Sequence, residues 1–418
     1  MGYYEIEGGQ ALNGAVTVQG AKNSVLPVLA ATLLAGGEYI IENCPEISDV
    51  TAALDILRFL GCTVSREKSR VLVNTGQVCR SDIPNDLMRK MRSSVIFLGA
   101  LLARKGKAKL SMPGGCELGP RPIDLHLSAL NRMGVQTEER WGNLYCAAER
   151  MQGREICLSF PSVGATENIM LCACGCCTGE TVIQGAAREP EIEDLGRFLT
   201  AMGAEISGAG TSRICIRGGV RLHPTSFFVM GDRIAAATYL CAAATTGGCI
   251  TLKGVDGRDN TAVLDCLTQA GCRIETGSNE LTLHSDGVLR GIAPVRTAPY
   301  PGFPTDGQAI LMAALAKGWG STMFVENIFE SRYGHVDELR RLGAEIQVSG
   351  RVAVVTGKKQ LHGAQVYSPD LRGGAALVVA GLAAKGTTRV YAVEHIQRGY
   401  DHLVDRLRDL GAVIRMME

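Results

Sequence analysis

A loop rich in glycine and proline carries a cysteine whose surroundings suit chemistry. Residues 110–126, LSMPGGCELGPRPIDLH, place Cys116 directly after a Pro-Gly-Gly turn and five residues before Arg121. Proline restricts the backbone and glycine frees it, and connections of this kind serve binding or catalysis more often than packing. A thiolate is favoured near an arginine, and a thiol there can act as an acid or a nucleophile. We therefore predict that Cys116 takes part in the chemistry of the protein and that a helix begins at Ile123.

Other polar residues recur at two kinds of position, namely the turn that opens an apolar helix and the loop that follows the next strand. The turns hold Lys22, Asn23, Arg92, Ser93, Ser162, Gly164, Asp232, Arg233, Asp306, Asp370 and Arg372. The loops hold Cys116, Arg121, Arg188, Glu189, Glu330, Arg332, Glu394 and Arg398. Lysines and arginines from several loops clamp phosphate or carboxylate groups, and helix N-termini opened by turns such as SVGAT offer backbone N–H groups to anions.

One carboxylate of this set is a candidate base. Among so many positive charges, Asp306 is expected to stay ionised and to accept a proton from a substrate hydroxyl. The alternative is that the polar residues of the turns and loops are helix N-caps and solvated salt bridges. That alternative stays open for each residue taken singly, whereas their recurrence in register favours a site lined by basic and acidic groups.

The cysteine spacing is not that of a metal site, and the sequence lacks the common nucleotide-binding and zinc-protease motifs. The chain has 15 cysteines, and the densest group (Cys172, Cys174, Cys176 and Cys177) lies in a predicted helix without paired CxxC knuckles. Buried thiols behave as small apolar groups, which favours packing over metal binding. Walker A, Rossmann GxGxxG and HExxH motifs are all absent from the sequence. The cysteine spacing therefore argues against a metal site.

Composition limits the class of protein further. The chain has 418 residues, 46% hydrophobic and 20% charged, with a net charge of +1. The balanced charge argues against binding to nucleic acid or to an anionic membrane. Apolar runs long enough to span a bilayer are absent, and the first residues lack the basic and apolar regions of a signal peptide. We therefore expect a cytoplasmic protein.

A long repeat organises the chain. Six helix-end signatures, such as FLGCTV and RLGAEI, recur 68 to 73 residues apart. Their glycines are Gly61, Gly134, Gly203, Gly271, Gly343 and Gly411. Glycine just after a helix ends it in the left-handed conformation, and a strand can follow at once. Six occurrences at near-constant spacing predict six repeats, each a small α/β unit.

Each unit is predicted to contain a strand, a buried helix, a second strand, a loop, a surface helix and a third strand. The first helices are apolar all round and the second carry a charged face, so sheets should lie outside a core of helices. Six units exceed one hydrophobic core, which favours three units in each of two domains. We predict one domain over residues 22–229 and a second over 1–21 plus 230–418. The strand pair of residues 1–21 is expected to pair with the second group.

Nine motifs follow one another along the chain: GAKNSVLPVLAATLL, MRSSVIFLGALLAR, MPGGCELGPRPIDLH, PSVGAT, REPEIEDL, FPTDGQA, FESRYGHVDELRRLGAEI, SPDLRGG and IQRGYDHL. In order and over essentially the whole chain, they resemble the UDP-N-acetylglucosamine 1-carboxyvinyltransferase (enolpyruvyl transferase) family. The resemblance implies two inside-out α/β barrel-like domains of three repeats each, with the active site in the interdomain cleft. It implies no metal and no organic cofactor.

The resemblance also implies a reaction. The 3-hydroxyl of UDP-N-acetylglucosamine attacks C2 of phosphoenolpyruvate, and phosphate leaves to give an enolpyruvyl ether. This is the first committed step of peptidoglycan synthesis and the target of fosfomycin. Cys116 matches the catalytic acid, which also forms a covalent adduct and is alkylated by the drug, and Asp306 matches the proposed base.

Further site residues follow from the same resemblance. Lys22, Arg121 and Arg398 match the clamp on phosphoenolpyruvate. Other residues match the family's contacts to the sugar nucleotide or further residues of its site. These are Asn23, Arg92, the segment Arg121, Pro122, Ile123, Asp124 and Leu125, the turn Ser162, Val163 and Gly164, and Ile328, Arg332, Asp370 and Arg372.

Two positions depart from the family pattern. Phe160 stands where some members have a lysine, so one phosphate contact is missing or supplied otherwise, and Gly373-Gly374 replaces small residues such as Ala-Ser. The nearest rival is 3-phosphoshikimate 1-carboxyvinyltransferase, which shares the repeats but is expected to lack the PGGC motif. RNA 3′-phosphate cyclase and a repeat scaffold without catalysis are further alternatives.

Overall fold

The computed structural model describes residues 2–91, 93–111, 123–175 and 178–418. The described chain divides into two compact units. One comprises residues 2–19 and 231–418, and the other comprises the described residues of 20–230.

The first two strands, β1 (Tyr3–Glu7) and β2 (Leu12–Thr17), belong to the unit of residues 231–418. The helices of the unit of residues 20–230 are α1 (Lys22–Ala31), α2 (Ser48–Phe59), α3 (Asn85–Lys90), α4 (Phe97–Lys105), α5 (Asp124–Arg132), α6 (Val163–Cys174) and α7 (Pro190–Ala201). Its strands are β3 (Glu38–Glu42), β4 (Thr63–Glu67), β5 (Arg70–Asn74), β6 (Asp82–Ile83), β7 (Lys107–Ser111), β8 (Gln136–Arg140), β9 (Asn143–Ala147), β10 (Glu155–Cys157), β11 (Glu180–Gln184), β12 (Glu205–Ser207), β13 (Arg213–Arg217) and β14 (Ser226–Phe228).

The unit of residues 231–418 repeats this order. Its helices are α8 (Arg233–Thr246), α9 (Thr261–Gln269), α10 (Thr305–Leu315), α11 (Val336–Arg341), α12 (Leu371–Ala383), α13 (Glu394–Gln397) and α14 (Leu403–Asp409). Its strands are β15 (Gly248–Lys253), β16 (Arg273–Gly277), β17 (Glu280–Ser285), β18 (Val295–Arg296), β19 (Ser321–Val325), β20 (Glu345–Ser349), β21 (Val352–Thr356), β22 (Gln365–Tyr367), β23 (Thr387–Tyr391) and β24 (Val413–Met417). Short 3-10 turns cover Thr32–Leu34, Ser94–Ile96 and Gly257–Asn260.

The strands of the described residues form six sheets with one common plan. Three lie in the unit of residues 20–230, with strand orders β14-β3-β5-β4, β6-β7-β9-β8 and β10-β11-β13-β12. The other unit has the orders β2-β15-β17-β16, β18-β19-β21-β20 and β22-β23-β1-β24. In each sheet the first two strands run parallel and the other neighbours run antiparallel. The prediction of six repeated α/β units is therefore confirmed.

The helix-end glycines have the backbone conformation that their positions require. The φ angles of Gly61, Gly134, Gly203, Gly271, Gly343 and Gly411 lie between 90° and 110°. A residue with a Cβ is strained there, so glycine both ends the surface helix and turns the chain into the next strand.

Two details of the predicted units were wrong. Each unit has one strand more than predicted, because the surface helix is followed by a hairpin of two strands, such as β4 and β5. The first two strands of the chain do not pair with each other. Instead β1 lies between β23 and β24, and β2 lies beside β15. Their predicted pairing with the second group of units is confirmed.

The buried helices form the core of each unit. In the unit of residues 231–418, α8, α10 and α12 pack against one another, and nearly every residue of α12 is buried. Apolar residues cover all sides of these helices, so burial on every side stabilises them. The sheets lie outside this core and turn alternate residues inward, as Tyr39 and Ile41 do in β3.

This plan brings the two kinds of polar position together within a unit. The C-terminal ends of two parallel strands lie at the same edge of a sheet. The turn that opens the buried helix follows the first parallel strand, and the predicted site loop follows the second. In the pair β18 and β19, these two positions hold Asp306 and Arg332.

Candidate active site

Two arginines hold one aspartate in the unit of residues 231–418. Asp306 lies in the first turn of α10, Arg332 in the loop after β19, and Arg372 in the first turn of α12. The Nη2 of Arg332 donates to Asp306 Oδ1 at 2.9 Å. The Nη2 and Nε of Arg372 donate to Asp306 Oδ2 at 3.0 Å and 3.2 Å. The structure thus brings together three of the predicted site residues from three elements.

Burial makes these contacts strong. The side chains of both arginines are only 3% exposed, whereas Asp306 is 29% exposed. Burial by itself lowers the pKa of Arg372, but Asp306, Tyr400 and Asp232 together outweigh it and leave the pKa raised. The two guanidinium groups give each oxygen of the carboxylate a charge-assisted hydrogen bond.

A buried glutamate anchors this cluster, and the sequence interpretation missed it. Glu326 follows β19 and is 1% exposed. Its Oε2 accepts a hydrogen bond from Thr305 Oγ1 at 3.0 Å, next to Asp306. Its Oε1 accepts the backbone N–H groups of Ile328 at 2.9 Å and Phe329 at 3.1 Å. The sequence did carry a signal, since an acidic residue at the end of an apolar strand needs buried hydrogen-bond donors.

Asp370 is the N-cap of α12, which was the alternative interpretation of the polar residues in the helix-opening turns. Its Oδ1 accepts the N–H groups of Arg372 at 2.9 Å and Gly373 at 3.1 Å at the start of α12. Asp232 caps α8 in the same manner. Capping does not exclude a role near a ligand, because Asp370 also fixes the backbone of Arg372.

A neutral histidine lies beside these residues. His335 is fully buried, and burial lowers its pKa to about 4, while Asp370 opposes this shift and Arg332 adds to it. At neutral pH it therefore adds no charge to the cluster.

The glycine pair after Arg372 fits its surroundings. A Cβ at Gly374 would lie 2.0 Å from Ser368 Oγ and 2.6 Å from Ile396 Cγ1. The departure from the usual Ala-Ser is therefore explained by close packing at the start of α12.

Arg398 lies half-buried directly after α13, in a segment held by hydrogen bonds. The buried Gln19 donates to the carbonyl of Gly399 at 2.9 Å and accepts from the N–H of Asp401 at 2.7 Å. Tyr400 lies under the Arg372 guanidinium at 5.5 Å. The backbone around Arg398 is therefore fixed by buried contacts within this unit.

In the unit of residues 20–230, the structure describes the predicted cation Lys22. It is the first residue of α1, and its Nζ lies 2.6 Å from Asp49 Oδ2. Its side chain is 12% exposed and that of Asp49 is 2% exposed, so the ion pair is shielded from water. Asn23 follows it and is half-buried.

The predicted diphosphate turn opens α6. Ser162 is the N-cap and accepts a hydrogen bond from the N–H of Ala165 at 3.3 Å, and Val163 and Gly164 begin the helix. Phe160, just before the turn, is 43% exposed and offers no charge to a phosphate.

The turn lies beside α5, where further predicted residues are found. Ile123 is the buried N-cap of α5, Asp124 is its exposed first residue, and Leu125 is half-buried. His126 lies against Gly164, and its Nδ1 faces the Asn168 amide at 3.0 Å. Burial lowers the pKa of His126 to about 4, so it is neutral at physiological pH.

Four predicted site residues lie outside the described residues: Arg92, Cys116, Arg121 and Pro122. Cys176 and Cys177 do so as well. Within the ranges that the structure does describe, no group of histidine, cysteine, aspartate and glutamate side chains is arranged to hold a metal ion. In those same ranges, no helix has the length and apolar character needed to cross a membrane.

Comparisons with known proteins match the chain to 1-carboxyvinyltransferases. Residues 6–407 match the family model described as EPSP synthase (3-phosphoshikimate 1-carboxyvinyltransferase). A UDP-N-acetylglucosamine 1-carboxyvinyltransferase 2 from Caldanaerobacter subterraneus is 47% identical over 418 residues, covering 100% of both chains. A protein of the same name from Clostridium tetani is 42% identical and covers 98% of both chains.

Solved structures agree with the fold. The enolpyruvyl transferase NikO from Streptomyces tendae matches with a TM-score of 0.89 at 29% identity, covering 100% of this chain and 99% of that one. An EPSP synthase from Acinetobacter baumannii matches with a TM-score of 0.74 at 20% identity over the full length of both chains, which shows the fold alone.

Proposed function

Because this chain belongs to the UDP-N-acetylglucosamine 1-carboxyvinyltransferase family and is a transferase, we propose that it makes the enolpyruvyl ether of UDP-N-acetylglucosamine. The enolpyruvyl group comes from phosphoenolpyruvate, and phosphate is released. The reaction would be the first committed step of peptidoglycan synthesis. The observation that carries the proposal is Asp306, held by Arg332 and Arg372 at the start of α10.

The proposed reaction runs by addition and elimination. Asp306 accepts the proton of the sugar 3-hydroxyl as its oxygen bonds to C2 of phosphoenolpyruvate, while Cys116 gives a proton to C3. The resulting tetrahedral ketal then loses phosphate from C2 and a proton from C3, which restores the double bond. The proton lost from C3 returns to the Cys116 thiolate, and the hydroxyl proton held by Asp306 leaves with the phosphate, so both residues regain their starting state.

The geometry around Asp306 supports its proposed role. Arg332 and Arg372 stabilise the negative charge of the carboxylate and fix its orientation, because each oxygen accepts a guanidinium hydrogen bond. About a third of the Asp306 side chain is exposed, so a substrate hydroxyl can reach it. Preorganised groups of this kind cost little reorganisation at the moment of reaction.

The substrates carry negative charges that match the predicted cations. We propose that Lys22, Arg121 and Arg398 bind phosphoenolpyruvate, and that the turn from Ser162 to Gly164 binds the diphosphate. The N-terminus of α6 supports this role, since backbone N–H groups there attract anions. The ion pair with the buried Asp49 holds the Lys22 ammonium group in place at the start of α1.

The remaining assignments rest on the family relationship. We propose that Asn23, Ile328 and the segment from Arg121 to Leu125 contact the sugar nucleotide, and that Arg92 and Asp370 complete the site. Fosfomycin would alkylate Cys116. The division into an enolpyruvyl-transferase domain within residues 20–230 and a second of residues 2–19 and 231–418, and a cytoplasmic location, stay predictions.

Phosphate release with two alternative acceptors tests the proposal. The purified protein is given phosphoenolpyruvate with either UDP-N-acetylglucosamine or shikimate 3-phosphate. We expect phosphate with the first acceptor only, and expect the Cys116→Ser variant to lose both this turnover and labelling by fosfomycin. Release with shikimate 3-phosphate alone would favour the rival activity, and release with neither acceptor would sink both.

A further inference from the structure

The buried carboxylate of Glu326 accepts four hydrogen bonds from three segments of its unit. Thr297 Oγ1, after β18, donates to Oε1 at 2.9 Å, and Thr305 Oγ1, the first residue of α10, donates to Oε2 at 3.0 Å. The N–H groups of Ile328 and Phe329 supply the other two. Burying a carboxylate without a charged partner costs free energy unless hydrogen-bond donors surround it, as they do here.

These bonds decide which backbone group at Ile328 is left for a ligand. The N–H of Ile328 is taken by Glu326 at 2.9 Å. Its carbonyl oxygen accepts no hydrogen bond from the part of the chain that the structure describes. A backbone contact from Ile328 to a ligand is therefore made by an acceptor, which selects a hydroxyl or amide N–H donor.

The same carboxylate connects this peptide to the proposed base. Thr305, which donates to Oε2, directly precedes Asp306, and the carbonyl of Thr305 accepts from Arg332 Nη2 at 3.3 Å. Thr297 Oγ1 also accepts the N–H of Asn327 at 2.8 Å, which ties the loop to the end of β18. A shift of Glu326 would therefore move both the carbonyl at Ile328 and the start of α10.

We propose that Glu326 is a positioning residue for recognition of the sugar. It turns the carbonyl of Ile328 toward a donor of the N-acetylglucosamine ring and keeps that carbonyl in register with Asp306. This inference rests on the proposed function, because it assigns a part of the same site. Replacing Glu326 should therefore weaken the binding of UDP-N-acetylglucosamine but not that of UDP, which lacks the sugar.

Calorimetric titration with UDP-N-acetylglucosamine and with UDP separates the two contributions. In Glu326→Ala, we expect the dissociation constant for UDP-N-acetylglucosamine to rise about tenfold or more, the size of one lost hydrogen bond with its unpaired donors. The constant for UDP, which lacks the sugar, should stay within about twofold of the wild type on the same reasoning. Glu326→Gln should bind nearly normally, since its Oε1 still accepts and the Thr305 hydroxyl can turn to face the amide.

Milder variants keep the test valid if Glu326→Ala fails to fold. Thr297→Val and Thr305→Val each remove one hydroxyl that contacts Glu326, and both should weaken UDP-N-acetylglucosamine selectively. Thr322→Val is the matched control, because Thr322 is a buried threonine of β19 whose Oγ1 accepts only the N–H of Ile292 among the hydrogen bonds of the described residues. It should leave the ratio of the two dissociation constants unchanged.

Equal weakening of UDP and UDP-N-acetylglucosamine, or no weakening of either, would overturn the assignment of Glu326. A wild-type protein that binds neither ligand would instead contradict the proposed function. A control variant that shifts the ratio as much as Thr305→Val would show that general damage to the sheet causes the effect.

Discussion

Replacing Asp306 by alanine should destabilise the unit of residues 231–418, because it leaves two buried guanidinium groups without their shared anion. Arg332 and Arg372 are each only 3% exposed and bond to Asp306 at 2.9 Å to 3.2 Å. Removing one partner of a buried ion pair costs about 3–5 kcal/mol. Water reaches the Asp306 side chain, which is 29% exposed, and this screening places the expected loss near the lower end, at about 3 kcal/mol.

Two further variants show where this energy comes from. Asp306→Asn keeps one oxygen acceptor but not the charge, so its loss should be smaller than that of Asp306→Ala by about 1 kcal/mol. Arg372→Met in the Asp306→Ala background removes one of the uncompensated charges. The double variant should therefore be more stable than the sum of the single losses predicts, with a coupling energy of about 1 kcal/mol or more.

Tryptophan fluorescence during urea unfolding measures the effect in the right unit. The chain has two tryptophans, Trp141 in the unit of residues 20–230 and Trp319 in the other. In a Trp141→Phe background, the signal reports on Trp319 alone. A loss below about 1 kcal/mol for Asp306→Ala, or strictly additive losses in the double variant, would refute an electrostatic origin of the cluster.

Three shorter predictions concern other residues. Cys116→Asp should retain phosphate release from phosphoenolpyruvate but resist fosfomycin, because a carboxyl group can also donate a proton; an inactive Asp variant would point to an essential covalent role. Ala392→Gly should raise the free energy of unfolding by up to about 1 kcal/mol, because Ala392 has φ 56°, a left-handed conformation that costs a residue with a Cβ; an unchanged or lower urea midpoint would contradict this. His335, whose pKa falls to about 4 when folded, takes up its proton more readily unfolded, so its contribution to stability is present above about pH 6.5 and is lost as the pH falls toward 4. His335→Gln should therefore show a shallower fall in the free energy of unfolding between pH 7.5 and 5 than the wild type, by about 2 kcal/mol, and an equal fall in both would count against the assignment.

The repeats could be predicted because they rest on local rules. Glycines such as Gly61 and Gly411 end helices where φ must be positive, and this requirement is visible in the sequence at a constant interval. The buried and surface helices could be told apart by whether apolar residues cover all sides or one. The hairpin after each surface helix was missed, since its tight turn, as at Lys68, separates two short strands that resemble one continuous strand in the sequence.

The sequence analysis named residues for the candidate site but not the contacts between them. Asp306, Arg332 and Arg372 were assigned together from the sequence, yet only the parallel pairing of strands shows that two of them lie at one sheet edge. Asp370 was assigned to the site, and its carboxylate also caps α12. The place of Glu326 at the end of an apolar strand signals that it needs buried donors, but which groups donate could not be predicted, because they come from positions 29 residues upstream to three downstream.

The position at which the enolpyruvyl group is attached tests the central claim most directly. The protein is incubated with UDP-N-acetylglucosamine and phosphoenolpyruvate labelled with carbon-13 at C2, and the product is examined by long-range proton–carbon NMR correlation. We predict a correlation between the labelled carbon and the proton at C3 of the sugar, together with one phosphate released per ether formed. An ether at another sugar position, or phosphate release without an ether, would contradict the proposed enolpyruvyl transfer.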